Sequence, residues 1–227
     1  MRTLTLGYFL GFCVVSMFFC SSPAFASDNG KFYLEGEVGA SFIRLDSGGH
    51  NTIGPHDNTG SDSDTTVVSG VHVGAGLFSF LRADLGFNYR GNLDFTTNSF
   101  QPPTPTFFYK TKIDHTYTLM ASLYFEPIHL NKWTPYIGAG VGSAWIGSRT
   151  NDTVVEGKGE ETNFAWQAEA GIQRELTEHL TLKLGYRYID MGPTKIPLSP
   201  IGTNVSGGSL KGTLTAHEVV VGLRYSF

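Results

Sequence analysis

The sequence predicts an all-β protein, an eight-stranded antiparallel up-and-down transmembrane β-barrel preceded by a cleaved leader. Three observations carry that prediction. Segments of roughly ten residues alternate apolar and polar side chains with period 2, and the pattern recurs eight times. The links between these segments alternate between long and short. The faces that are not apolar hold carboxylates and bases in equal number.

The leader comes first. Arg2 supplies a positive charge, "LGYFLGFCVVSMFFC" (Leu6 to Cys20) an apolar run, and Ala24-Phe25-Ala26 the small residues of a cleavage site. The run is short for a helix spanning a bilayer, which needs about 20 apolar residues, and the helix breaker Pro23 lies just beyond it. Residues 1–26 therefore read as a signal peptide and residues 27–227 as one exported barrel domain beginning at Ser27. Cys13 and Cys20 both lie in the leader, so the exported chain has neither a disulfide framework nor thiolate chemistry. The formal net charge of −4 becomes −5 once Arg2, the single charge of residues 1–26, is removed. That balance gives no nucleic-acid footprint.

The first strand is "FYLEGEVGASF", with Phe32, Leu34, Val38, Ala40 and Phe42 on one face and Tyr33, Glu35, Glu37, Gly39 and Ser41 on the other. The second, "VVSGVHVGAGLF", alternates through Gly70, Gly74 and Gly76. In the third, "LRADLGFNYR", Leu81, Ala83, Leu85, Phe87 and Tyr89 oppose Arg82, Asp84, Gly86, Asn88 and Arg90. The fourth, "KIDHTYTLMASLYF", sets Ile113, Tyr117, Leu119, Ala121, Leu123 and Phe125 against Lys112, Asp114, Thr116, Thr118 and Ser122. The fifth, "YIGAGVGSAWIG", carries Gly138, Gly140 and Gly142 on one parity. The sixth, "FAWQAEAGIQ", places Phe164, Trp166, Ala168, Ala170 and Ile172 opposite Gln167, Glu169 and Gln173. In the seventh, "LTLKLGYRY", Leu180, Leu182, Leu184, Tyr186 and Tyr188 oppose Lys183 and Arg187. The eighth, "VVVGLRYSF", ends the sequence with Val219, Val221, Leu223, Tyr225 and Phe227 on one face.

The links decide between a membrane barrel and a soluble one. Segments 46–66, 96–108, 149–161 and 193–211 are long and rich in Gly, Pro, Asn, Asp, Ser and Thr, whereas those near 78–80, 126–134 and 177–179 are short. Long external loops alternating with short periplasmic turns characterise outer-membrane barrels, and a soluble sandwich has no reason to show the asymmetry. The polar faces agree. Glu35, Glu37, Asp84, Asp114, Glu169 and Glu218 stand against Arg82, Arg90, Lys112, Lys183, Arg187 and Arg224, as a closed lumen with paired charges requires. Aromatic residues sort to two rims, Tyr89, Phe95, Phe108, Tyr109, Tyr117, Trp145, Phe164, Trp166, Tyr186 and Tyr188 near the long links, and Phe32, Phe80, Phe125, Trp133, Tyr136, Tyr225 and Phe227 at the other. The implied location is the Gram-negative outer membrane, with lipid and lipopolysaccharide as neighbours.

So small a barrel has an interior that side chains can fill. The inward glycines of the second and fifth strands either hollow a narrow passage or make room for long charged side chains from other strands, and the second reading is preferred. An enzyme is not expected: His115 and His217 lie on the apolar parity near the long-link rim, but no nucleophile motif accompanies them in "KIDHTYT" or "TAHEVV". No cofactor or metal is expected. Asp57, Asp62 and Asp64, near His50 and His56, miss the calcium-loop spacing and read as a solvated loop. In "TTNSFQPPTPTFF", Phe100, Phe107 and Phe108 on a proline-stiffened loop are candidates for contact with a host or neighbouring-cell ligand, or with lipopolysaccharide.

The leader, "PYIGAGVGSAW", "FAWQAEAGIQREL", "LGYRYIDMG" and the terminal "VVVGLRYSF" together resemble the opacity-type outer-membrane barrels, akin to the eight-stranded OmpA transmembrane domain. The likeness covers the mature chain. It implies a monomeric surface protein with a structural or adhesion role; a narrow solute channel is the alternative, and a lipid A-modifying enzyme comes third. It also implies that Tyr225 and Phe227 form the terminal signal read by the outer-membrane assembly machinery.

Overall fold

The computed structural model describes residues 32–48, 59–99, 107–128, 130–151, 155–200 and 208–227. The expected leader and Phe100 lie outside them, as do His50, His56 and Asp57. The strands are β1 (Phe32–Gly48), β2 (Thr59–Phe78), β3 (Leu81–Arg90), β4 (Leu93–Ser99), β5 (Phe107–Phe125), β6 (Trp133–Asn151), β7 (Val155–Glu175), β8 (Leu180–Pro200) and β9 (Gly208–Ser226). Every ladder is antiparallel, and the order β3-β2-β1-β9-β8-β7-β6-β5-β4 closes on itself because β3 also pairs with β5. β3 and β4 share β5 as partner and are one wall strand interrupted at Gly91-Asn92, so the wall has eight staves. Closure removes the free edges that hydrocarbon cannot tolerate.

The last strand completes the wall. β1 pairs β9 from Tyr33↔Ser226 to Asp46↔Thr213, and the Phe227 amide donates to the Phe32 carbonyl at 2.9 Å. Period-2 alternation then sorts the residues. Val38, Val73, Leu85, Leu123, Val141, Leu184, Val221 and Leu223 are exposed on the outer wall, while Glu35, Asn88, Arg90, Lys183, Arg187 and Glu218 are buried inside. This is the inverse of a soluble barrel and fits a wall solvated by lipid.

Two tight connections link β2 to β3 through Ser79-Phe80 and β7 to β8 through 176–179, where the Thr177 hydroxyl accepts from the Leu180 amide at 3.1 Å. The β5–β6 turn spans 126–132 and contains Asn131 at φ 55°, a left-handed conformation that Asn tolerates. These connections form the turn end of the barrel.

At the opposite, ribbon end the structure departs from the sequence expectation. Much of what reads as long loop is strand: β1 continues to Gly48, β2 starts at Thr59 and takes in Asp62 and Asp64, and β6 and β7 stay paired to Asn151↔Glu156. Phe107 and Phe108 begin β5, opposite Ser99 and Asn98, instead of lying in a loop. These segments are Gly-, Ser-, Thr- and Asp-rich without apolar alternation, so the period-2 signal vanishes there although the ladder continues.

Candidate functional site

The lumen is built in two storeys. The lower one, toward the turn end, is ionic. Lys183 on β8 contacts Glu35 and reaches Glu37 at 3.0 Å and Glu169 at 3.3 Å. Arg187, two inward positions further, meets Glu37 at 2.6 Å, Glu169 at 2.9 Å and Glu218 at 3.4 Å. Arg90 on β3 crosses the lumen to grip both oxygens of Glu218, at 2.6 and 3.2 Å, and donates to Thr118 at 3.0 Å. Ser41 adds a hydroxyl to the same carboxylate at 2.8 Å. Toward the mouth, Arg82 donates to Glu126 at 2.5 Å and to the Tyr33 hydroxyl at 2.9 Å, and Tyr33 donates to Asp84 at 3.2 Å. Isolated charges at such depth cost far more than the fold can offset, so each is held by partners of opposite sign or by hydrogen bonds.

The upper storey, toward the ribbon end, is apolar. Ile43, Leu45, Leu93, Ile113, Ile146, Ile189, Met191 and Leu214 form one buried cluster with Met120, Ala144, Ala165 and Ala216. It continues the inward parity of the ionic residues: Glu37 and Ser41 lead to Ile43 on β1, Arg187 to Ile189 on β8, and Glu218 to Ala216 and Leu214 on β9.

Inward glycines make this filling possible. A Cβ on Gly74 would strike the Tyr33 ring, on Gly86 the His72 imidazole, on Gly138 the Tyr124 ring, and on Gly185 the Tyr136 hydroxyl. The missing side chains are replaced by large groups from other strands, and the occupants are mainly rings rather than the long charged chains the sequence suggests.

Ten of the twelve charges singled out in the sequence meet in the lumen: Glu35, Glu37, Arg82, Asp84, Arg90, Glu169, Lys183, Arg187, Glu218 and Arg224 are all buried. The Lys112 side chain lies outside the described residues, and Asp114 is only half-buried. A bulge between Ile113 and His115 on β5 shifts the alternation, so that Ile113, expected outside, is fully buried in the apolar storey. Asp114 falls on the bulge, half-buried, and Lys112 lies beyond it opposite Asp94 and Arg149. Tyr136, expected in the rim girdle, is instead an interior residue whose hydroxyl donates to Glu169 at 2.7 Å, in the space that Gly171 and Gly185 leave open.

Sequence reasoning missed His72, Tyr124 and Glu126. The His72 ring lies between Glu37 at 3.2 Å and Asp84 at 3.5 Å, and Tyr124 lies under the Arg82 guanidinium at 3.8 Å from the ring centre. His72 shares its parity with Gly70, Gly74 and Gly76, which is the signal that could have found it.

On the outer wall His217 is exposed, with Nδ1 at 2.5 Å from the Tyr186 hydroxyl, and the His115 ring lies against Tyr117. Trp166, Tyr188 and His217 make consecutive ring contacts at the ribbon-end rim. At the other rim Phe78, Phe80 and Phe125 touch in series, and Tyr225 meets Phe227 edge-on.

Residues 12–227 match the family described as outer membrane protein beta-barrel domain. The chain is 27% identical over 118 residues to the outer membrane protein PagN of Salmonella typhimurium, covering 48% of this chain and 49% of that one. It is 26% identical over 165 residues to a Rickettsia conorii protein named as a candidate adhesin, covering 67% and 65% of the two chains. The crystal structure of OprG from Pseudomonas aeruginosa superposes with a TM-score of 0.56 at 14% identity, over 88% of this chain and 97% of that chain.

Proposed function

This chain belongs to the outer-membrane protein β-barrel domain family and resides in the Gram-negative outer membrane, and from that premise we propose that it is a non-conducting surface protein, structural or adhesive, that meets an extracellular ligand with its ribbon end. The observation that carries this reading is the filled lumen. Below, the carboxylates and cations of five strands interlock; above, Ile43, Leu45, Leu93, Ile113, Ile189 and Leu214 close the bore with hydrocarbon. A solute would have to break both storeys. What remains free to act is the outer surface, and the extended part of that surface is the paired ribbons. The adhesin name of the Rickettsia relative agrees with this reading.

The orientation belongs to the same proposal: ribbons outside, turns in the periplasm, as in barrels with short periplasmic and long extracellular connections. Epitope tags at Asn58 and Asn204 are expected to bind antibody on intact cells, and a tag at Glu178 only after permeabilisation. Whole cells bearing the barrel should bind host-cell or neighbouring-cell surfaces, and trimming the segments around 49–58 and 100–106 should abolish that binding while heat-modifiable folding persists. Equal binding by the trimmed barrel would end the adhesive reading. On the same reading the chain is not an enzyme, so its presence should leave the lipid A mass spectrum unchanged.

A narrow channel is the second reading. Buried polar atoms of the lower storey that find no partner among the described residues, including Nδ2 and Oδ1 of Asn88 and Oδ1 of Asp84, favour water there. Single-channel steps in planar bilayers would support that reading against the first.

A further inference from the structure

We propose that the turn-end mouth of the lumen is a binding site for a small oxyanion, a carboxylate or a phosphate. A pocket opens there between Tyr33, Gly76, Leu81, Arg82, Glu126 and Arg224. Its two guanidiniums are almost wholly withdrawn from water, Arg82 at 4% and Arg224 at 6% exposure. Arg82 donates through Nε to Glu126 at 2.5 Å and through Nη1 to Tyr33, but its buried Nη2 finds no acceptor among the described residues. Arg224 gives Nη2 to Gln173, while its Nη1 stands 3.9 Å from Glu126, beyond hydrogen-bond range.

One carboxylate thus serves one guanidinium directly and the other only through charge. A buried donor left without an acceptor is costly. Glu126 follows the end of β5, its amide donating to the Phe80 carbonyl at 2.8 Å, and its side chain, at 12% exposure, is more open to the mouth than Arg82 or Arg224. It occupies the mouth as an internal surrogate for a free anion. The next acidic group, Asp84, holds Oδ2 3.7 Å from Arg82, the same oxygen that Tyr33 and His72 contact, while its Oδ1 finds no partner among the described residues. A planar carboxylate or a tetrahedral phosphate presents several oxygens at once, which suits a pair of guanidinium forks better than the single Glu126 contact does. The site is at the opposite end from the ribbons, so its failure and that of the surface reading are independent.

The test is a titration of the refolded, isotope-labelled full barrel in micelles with inorganic phosphate and with acetate, at constant ionic strength and with chloride as control. The expected result is saturable amide shifts centred on Gly76, Leu81 and Ser226. Glu126→Gln should tighten binding about fivefold, the scale of one charge-competing hydrogen bond removed from Arg82. Arg224→Gln should weaken it about tenfold, with Arg224→Lys in between. If Arg224→Gln does not fold, the Glu126→Gln and Arg224→Lys comparison decides. A preference for phosphate identifies a tetrahedral ligand and a preference for acetate a planar one. Shifts that never saturate, or that chloride reproduces in both the native barrel and Glu126→Gln, would overturn the site, as would equal affinity of native and Glu126→Gln.

Discussion

Arg187 touches three carboxylates from three strands, Glu37, Glu169 and Glu218, and is completely buried. Truncating it leaves all three facing one another, held by Lys183, Arg90 and the Tyr136 and Ser41 hydroxyls. Arg187→Ala is therefore expected to cost about 3–5 kcal/mol, the range for a buried pair broken on one side, read as the urea midpoint of the barrel refolded in lipid vesicles. Arg187→Lys keeps the charge without the fork and should lose less. Gly86→Val tests the filling from the other direction: its side chain would meet the His72 ring, and overpacking of that kind costs about 1–3 kcal/mol. At this scale the charges were legible, since Glu169 and Arg187 lie on parities that a lipid-facing wall cannot use. Tyr124, Tyr136 and His72 were not, because each is explained by a glycine on a different strand, and pairing between distant strands leaves no trace in a single sequence.

β5 shows both the reach and the limit of periodicity among the strands. From Thr116 to Phe125 its alternation is regular and places every residue on the correct face. The extra residue at Asp114 then turns Ile113 inward, and a period-2 reading carried through the bulge assigns Ile113 to the wrong side. Deleting Asp114 should straighten the strand while keeping Ile113 inside, so the shortened barrel is expected to refold with a smaller loss of stability than emptying the Ile113 site. Ile113→Ala instead empties part of the apolar storey and should cost about 2–5 kcal/mol. A deletion more damaging than Ile113→Ala would mean that the bulge itself shapes the wall. The ribbons carry the same lesson: β6 and β7 stay paired to Asn151↔Glu156 without any hydrophobic face to announce it.

For the whole molecule, the fold and its membrane were legible because lipid outside and polar or small side chains inside imprint opposite chemistries on alternate residues along the staves. The two-storey lumen was not, since the parities that begin at Glu37 and Arg187 change from ionic to apolar only past the segments that look like strands. Phe227 contributes one backbone hydrogen bond to Phe32 and a ring on the outer surface, so removing it should barely change the barrel refolded in detergent. If Tyr225 and Phe227 are the assembly signal that the resemblance implies, the same deletion should sharply reduce protease-resistant barrel in outer membranes. The bond between the Phe227 amide and the Phe32 carbonyl also brings the first and last described strands side by side at one end. The barrel can therefore be circularly permuted: a short linker from 227 to 32 and new termini within 201–207 would reorder the staves along the chain without altering one ladder. Such a permutant should refold in vitro like the parent, and its fate in cells would separate what the closed shape requires from what the order of synthesis requires.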